Sequence, residues 1–451
     1  MNFSYLTSPS ILATSLQNGR YGRFSIFASH PLDVFSLNRL GPMCPLEALA
    51  KRVSRYPSTY EAGYGLPFVG GWIGFLAYEG GLVTERIEPT TVRDVPLPVL
   101  RFCLYDAAAV YDHQARQWYL TAVDWPRPLA GRRPPVSTRL AALRNRLESA
   151  PNLDPTDPPP RPATSPPTPN MSHEEYLAKV DRAKRYITAG DIYQVNLTQR
   201  FTVRTSASPA AIWQRLCRSS PSPYSALLLW DNAAILCSSP ELFLELRDRH
   251  VVTRPIKGTR PRVGDPRLDK GNRRELAESE KDRAELTMII DLLRNDLGRV
   301  CSFGTVGVTC AGQIEEHPTV FHRVATIEGD LAHQHRWVDL LRAAFPGGSV
   351  TGAPKIRAIQ IIDELEPTTR GVYCGSIGLI GLDGSMSMNI AIRTMVQLDG
   401  VVHMYAGGAI VADSTPEDEY DEIIAKATGM FRALDCQAPS VSRLPEEVTI
   451  P

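Results

Sequence analysis

The sequence predicts an α+β fold in which helices cover antiparallel sheets. Three observations lead there. Strand-like runs, either alternating with a period of two or short and wholly apolar, outnumber helical segments along the 451 residues. The helical segments do not alternate one for one with the strands, as a doubly wound parallel sheet would require. Glycine and proline punctuate the first part of the chain closely, in the manner of turns between neighbouring strands.

Taken in order, "GRFSIFASH" (22–30), "PFVGGWIGFLAYEG" (67–80) and "RFCLYDAAAVYDH" (101–113) read as strands, and "LEALAKRV" (46–53) as a helix. The stretch "PNLDPTDPPPRPATSPPTP" (151–169) has almost no large apolar side chains and reads as a semi-rigid linker. The expected division is therefore an N-terminal region over 1–150, a linker over 151–170 and a second region over 171–436, with a frayed tail beyond. The second region opens on a helix. Ser172 and Glu175 form a capping box, Tyr176, Val180, Ala183 and Ile187 recur at helical spacing, and Gly190 suits a left-handed stop. Strands follow in "YQVNLTQRFTV", "SALLLW", "AAILCSSPELFLEL" and "HVVTRPIKG", then a long helix near 275–297. "RAAFPGGSVTGAPKIRAIQIIDELE" is a glycine-rich loop leading into a helix. "GVYCGSIGLIGL", "MSMNIAIRTMVQL" and "VVHMYAGGAIVA" form a strand meander. Thr415 or Ser414 caps a last helix, with Pro416 in its first turn.

Composition narrows the function. Forty-nine basic residues balance 49 acidic ones, so no global field draws the chain to nucleic acid or a membrane surface. No apolar run approaches the ~18 residues of a span, and the N-terminus lacks a basic region followed by an apolar core. The eight cysteines are scattered without a Cys-x-x-Cys pair, which argues against a zinc site or a disulfide framework. The expectation is a cytoplasmic protein.

Several residues could do chemistry. Arg254, Lys257, Arg260 and Arg262 crowd "VVTRPIKGTRPR". Such a run is either a solvated basic loop or a reactive amine beside an anion site. Glu241 opens a strand 16 residues earlier, a spacing that allows a hairpin to bring it near Lys257. Asp282 and Glu285 share one helix face, and Glu419, Glu422 and Lys426 share another. Two helices that aim acids at one spot could hold a divalent ion completed by water and an anionic substrate, although spacing alone does not show that they meet. Gly407 and Gly408 within a strand suggest a bulge or a close approach of backbone to a ligand. His322 lies among apolar residues, and Arg393 is a charge in an apolar run that needs an acidic partner or a ligand. The loop holding Gly347, Gly348, Gly352 and Lys355 lacks P-loop spacing.

The ordered blocks "GDIYQVNLTQRF", "SSPELFL", "RPIKGTRPR", "ELTMIIDLLRNDLGRVC", "FHRVATIEG", "FPGGSVTGAPKIRAIQIIDELE", "RGVYCGSIGLI", "NIAIRT" and "AGGAIVADSTPEDEYDEIIAKA" run from about 190 to 430. Together they resemble the chorismate-utilising enzymes, and within them the component I branch that makes aminodeoxychorismate. "GRFSIFASHP", "FVGGWIGFLAYE" and "PSPY" extend the likeness into the first region. The resemblance implies two large antiparallel sheets packed as a sandwich with helices outside, both regions sharing one body, and a chorismate-binding catalytic domain over 171–436. It implies that Lys257 is the nucleophile on the chorismate ring, standing where anthranilate synthases read Pro-Ile-Ala-Gly-Thr, and that Glu241 is the general acid/base. By the same likeness Glu285 and Glu422 are Mg²⁺ ligands with Glu419 and Asp282 in support. The family usually has Glu where Asp282 stands. Tyr405, Arg393, Gly407, Gly408 and Lys426 fall where the family binds chorismate carboxylates, and Thr351 and His322 fall near the ring.

The implied product is 4-amino-4-deoxychorismate, on the route to 4-aminobenzoate and folate after a separate lyase. The nearest alternative is anthranilate synthase component I, against which Lys257 argues. Isochorismate and salicylate synthases activate water with a lysine where this chain has Gln194, which cannot act as that base. A non-catalytic chorismate-binding subunit would lack some of the acid, amine or metal positions, and none is missing. Cys374 lacks the Gly-x-Cys-x-Gly setting of a glutaminase, so the resemblance implies a separate glutamine amidotransferase subunit that supplies ammonia. Feedback-inhibited anthranilate synthases carry Leu-Leu-Glu-Ser near the N-terminus. The nearest stretch here, "ILATS", departs from it, so inhibition by tryptophan is not expected.

Overall fold

The computed structural model describes residues 7–16, 21–41, 43–56, 65–85, 87–126, 133–149, 161 and 163–439. Residues 151–160, much of the expected linker, and 440–451 lie outside them. The expectation of antiparallel sheets is met by two large ones. In spatial order the first joins Gly352–Ala353, Gln194–Arg204, Val401–Ile410, Thr394–Leu398, Ala233–Ser239, Tyr224–Trp230, Ser10–Ala13, Phe24–Ala28, Ala107–Asp112 and Gln117–Ala122. The second joins Ile256–Pro261, Val320–Asp330, His250–Arg254, Leu242–Arg247, Met386–Asn389, Ser376–Gly381, Gly71–Leu76, Leu100–Tyr105 and Asp33–Leu37, with Gly307–Glu316 also on Val320–Asp330. Each sheet takes strands from both sides of the proline-rich stretch. Ser10–Ala13 pairs with Tyr224–Trp230, and Gly71–Leu76 with Ser376–Gly381. Residues 163–170 run along Gln194–Arg204, through Thr164 opposite Thr205 and Thr168 opposite Thr202.

Strand periodicity explains why these segments are apolar on both faces. In Gly71–Leu76, Ile73 and Phe75 enter a core shared with Ile26, Val110, Leu228 and Ile235 of the other sheet, while Trp72 and Leu76 enter the core beneath the helices. Ala233–Ser239 divides the same way, with Ile235 and Cys237 between the sheets and Ala234 and Leu236 on the helix side. A fully buried side chain of this kind contributes about 1.5–3 kcal/mol relative to exposure.

The helices begin where their caps place them. Ser172 and Glu175 exchange the two capping-box bonds at the start of His173–Thr188, and Gly190 follows with φ +82°. Thr415 caps Pro416–Leu434, while Ser414 turns its hydroxyl to Glu419. The single long helix expected near 275–297 is two, Pro266–Glu278 and Glu280–Gly298, because Ser279 leaves helical geometry to cap the second. Three runs expected as single strands are also divided. Pro240 separates Ala233–Ser239 from Leu242–Arg247, Pro255 separates His250–Arg254 from Ile256–Pro261, and 390–393 separate Met386–Asn389 from Thr394–Leu398. Among the described residues no helix is long and apolar enough to cross a membrane.

Candidate active site

Two of those divisions are crossings between the sheets, and they lie side by side. At Pro240 the chain leaves the first sheet for the second, and at 390–393 it returns. Ile390 donates its N–H to the Glu241 carbonyl at 3.1 Å, and Ser238 donates to the Arg393 carbonyl at 3.1 Å. The crossings place Glu241 and Arg393 on the wall of a cleft of about 750 Å³, a size suited to a small organic ligand. Arg393 does not sit inside a strand as its apolar neighbours suggest. It precedes Thr394–Leu398 with φ +48°.

Lys257 enters the same cleft from Ile256–Pro261, whose predecessor strand forms a hairpin with the strand following Glu241. Gly258 explains the turn after it. Its φ is +85°, and a Cβ there would meet the Asp282 Cγ and a Leu276 methyl at 2.8 Å. The missing side chain lets the Lys257 backbone lie against both helices that carry those residues. Ser349, in the glycine-rich loop, links Glu241 and Lys257: its hydroxyl donates to Glu241 Oε1 at 2.6 Å, and its carbonyl accepts from Lys257 Nζ at 3.2 Å. Burial pushes the Glu241 carboxyl up to about 7, opposed by the Ser349 hydroxyl and the Lys257 charge. Burial lowers Lys257 below the ordinary lysine range; Lys426 adds to this, while Glu285, Glu241 and Glu422 oppose it.

The acids expected on two separate helices do meet across this cleft. Asp282 and Glu285 from Glu280–Gly298 face Glu422 from Pro416–Leu434. Burial raises Glu285, and Glu422 opposes Glu285's ionisation further, while Lys257 and Lys281 favour it. Burial also pushes Glu422 up, but Lys426 at 2.6 Å, with Lys281 and Lys257, outweighs it and leaves that carboxyl below its usual range. Asp282 is held by Arg260 at 3.2 Å. Glu419 stands behind Glu422. It accepts from Ser414 at 2.6 Å, and its Oε2 is buried with no partner. Gly408 packs under it, since a Cβ there would lie 2.8 Å from that oxygen. Among the described residues no three His, Cys, Asp or Glu side chains close into a cage for an ion. Asp282, Glu285 and Glu422 around an open cleft, with the orphaned oxygen of Glu419 behind Glu422, fit a hard cation that keeps waters and takes an anionic substrate as a further ligand.

Cationic, aromatic and imidazole side chains line the same cleft. The Arg393 guanidinium donates to Ser220 Oγ at 3.3 Å and, among the described residues, has no carboxylate partner; burial lowers it to about 10. Tyr405 stacks on Tyr373 with centroids 5.3 Å apart and donates its hydroxyl to the Thr369 carbonyl at 3.0 Å. His322 bonds Thr259 at 2.8 Å through Nδ1, and burial, helped by Arg393 and His317, keeps it neutral. Lys426 bonds the Gly407 carbonyl at 3.0 Å. Gly407 lines the cleft, whereas Gly408, Glu419 and Thr351 stand just behind its wall. The Thr351 hydroxyl is spent on the Gly347 carbonyl at 3.0 Å. Gln194 is fully buried.

Sequence reasoning singled out neither Ser349 nor Lys281. Ser349 lay inside a loop noted for its glycines, and Lys281 stands one residue before Asp282 with its ammonium 4.0 Å from Glu419. A second cavity of about 340 Å³ opens between the sheets near Leu12, Pro223 and Met386, and none of the expected site residues faces it.

A family model for chorismate binding enzymes matches residues 9–432. Aminodeoxychorismate synthase component 1 of Salmonella typhimurium is 41% identical over 92% of this chain and 90% of its own length. Anthranilate synthase component 1 of Thermus thermophilus is 39% identical over 94% and 92%. The crystal structure of anthranilate synthase component I from Streptococcus pneumoniae aligns with a TM-score of 0.79 at 30% identity, covering 92% of this chain and 93% of that one.

Proposed function

The chain belongs to the chorismate-binding enzymes, and from that premise we propose that it joins ammonia to chorismate, giving 4-amino-4-deoxychorismate through a covalent adduct on Lys257. The observation that carries this is a buried acid near neutrality and a lysine below its usual range, both bonded to Ser349 in one cleft. An amine attacks only when unprotonated, and burial shifts Lys257 toward that form. Neutral Lys257 adds to the ring, and Glu241 gives its proton to the departing ring hydroxyl, which leaves as water. Ammonia then adds to the ring, and Lys257 is expelled. The sum is chorismate plus ammonia giving the amino compound plus water.

Glu285 and Glu422, with Glu419 and Asp282 in support, would hold Mg²⁺. When bound, that ion supplies positive charge to the ring carboxylate of the substrate. Arg393, which has no carboxylate partner among the described residues, takes a substrate carboxylate together with Tyr405, Gly407 and Lys426, His322 borders the ring, and Gly408 and Thr351 support the cleft wall from behind. Ammonia comes from a separate glutamine amidotransferase subunit. The product reaches 4-aminobenzoate, and so folate, only after a lyase removes pyruvate.

Relatives named for anthranilate synthesis match the chain nearly as well, so identity alone does not separate the two reactions. Lys257 separates them, because elimination to anthranilate needs no amine at that place. Lys257→Ala should keep the wild-type circular dichroism and lose aminodeoxychorismate formation with ammonium as donor. A folded variant working at the wild-type rate would remove the covalent step.

A further inference from the structure

Ser349 is fixed from several sides. Gly347 and Gly348 before it lie close under neighbouring side chains, a Cβ at either meeting the terminal methyls of Ile390 at 2.4 Å and Leu292 at 2.5 Å respectively. After it, the Val350 carbonyl accepts from the buried Arg370 guanidinium at 2.8 Å. Lys355, at the end of the same loop, is anchored by Asp296 at 2.5 Å on the helix that carries Glu285. The turn is thus tied both to the sheet crossing beside Glu241 and to the helix of the acids. Its one side-chain hydroxyl is spent on Glu241 Oε1, and its carbonyl on Lys257.

We propose that Ser349 is the positioning residue that makes Glu241 and Lys257 act as a pair, its hydroxyl reserving one Glu241 oxygen as acceptor so that the other carries the proton given to the leaving hydroxyl. The inference rests on the assignment of Glu241 as the acid. A hydroxyl that donates to Oε1 occupies one lone pair of that oxygen and favours placing the transferable proton on the other oxygen. The same donation favours the ionised carboxylate and keeps the acid from being held too weak to give its proton up. The carbonyl, a backbone group, accepts from Lys257 Nζ at 3.2 Å. The groups facing Glu241 are Lys257 and the Ile256 N–H from Ile256–Pro261, the latter also favouring the ionised carboxylate, and the buried Cys374 thiol. Lys257 in turn faces Glu285, Glu422 and Lys426.

Ser349→Ala tests the hydroxyl alone, because the carbonyl bond to Lys257 survives the change. The direct readout is the titration of Glu241 in ¹³C-glutamate-labelled full-length protein without substrate, assigned with Glu241→Gln. A charge-assisted hydrogen bond of this kind predicts that the midpoint rises by about one unit in Ser349→Ala. The Glu241 limb of the kcat/KM profile should move with it, and kcat should fall about tenfold with KM little changed. Ser349→Thr, which keeps the hydroxyl, should restore the midpoint. An unshifted Glu241 midpoint in folded Ser349→Ala overturns the proposal. If the enzyme proves to make a different product, the functional assignment fails while the titration still decides the role of Ser349.

Discussion

Replacing Glu241 with glutamine keeps an acceptor for Ser349 and removes both the proton and the charge. As the general acid, Glu241 should account for about 10²–10⁴ in kcat, so Glu241→Gln is expected to lose activity on that scale with substrate binding intact. Stability should move the other way. The folded carboxyl sits at about 7 against an ordinary 4.5, so between those values the fold binds a proton that the unfolded chain has released. The group's stabilising contribution is complete below 4.5 and is lost as pH rises through 7. By linkage that loss is on the order of 3 kcal/mol for a shift of this size. Urea midpoints at pH 5 and pH 8 should therefore fall less in Glu241→Gln than in the wild type. Parallel losses would mean that the acid is not strained by burial. Lys257 and Glu241 were legible as single residues, because a lysine before Gly-Thr and a glutamate after Ser-Ser-Pro stand out. Ser349 was not, since its role depends on a turn whose carbonyl and hydroxyl face opposite partners.

Among the elements, the helix starts were the most legible, because a cap is a local contract between residues three apart, as at Ser172 with Glu175 and at Thr415 before Pro416. The sheet crossings were not. Pro240 and 390–393 look like minor interruptions in apolar runs, and only long-range pairing reveals that the chain changes sheets there. This is also why Arg393 read as a strand residue. The helices of the acids depend on such tertiary placement, and Gly408 records it: its strand passes directly under Glu419. Gly408→Ala suits a strand locally but would put a methyl 2.8 Å from Glu419 Oε2 and 3.9 Å from Glu422 Oε1. Displacing a supporting carboxylate usually costs about 10–100-fold in metal affinity. Calorimetric titration with Mg²⁺ should show a loss of that order in a normally folded variant. Unchanged affinity would exclude Glu419 from the cation site.

At the scale of the whole molecule, both sequence regions build both sheets, although the cleft itself is lined only by residues from Asn196 to Arg432. The proline-rich stretch suggested a boundary by composition, while strand pairing across it is a long-range property that composition does not encode. Cys374 is the thiol that bears on glutaminase chemistry. Cys374 is buried and its thiol is pushed up to about 12, the reverse of an activated nucleophile. Turnover with glutamine should therefore require an added amidotransferase subunit, whereas ammonium salts should support it alone. Equal glutamine-driven rates with and without that subunit would contradict the division of labour.

The central claim is the identity of the product. The purified chain would be given chorismate, Mg²⁺ and an ammonium salt at mildly alkaline pH, with an aminodeoxychorismate lyase added to half of the sample, and products followed by mass and fluorescence. 4-Aminobenzoate is expected only in the half with the lyase, and aminodeoxychorismate in the other. Fluorescent anthranilate formed without the lyase would contradict the claim and would mean that Lys257 does not set the reaction.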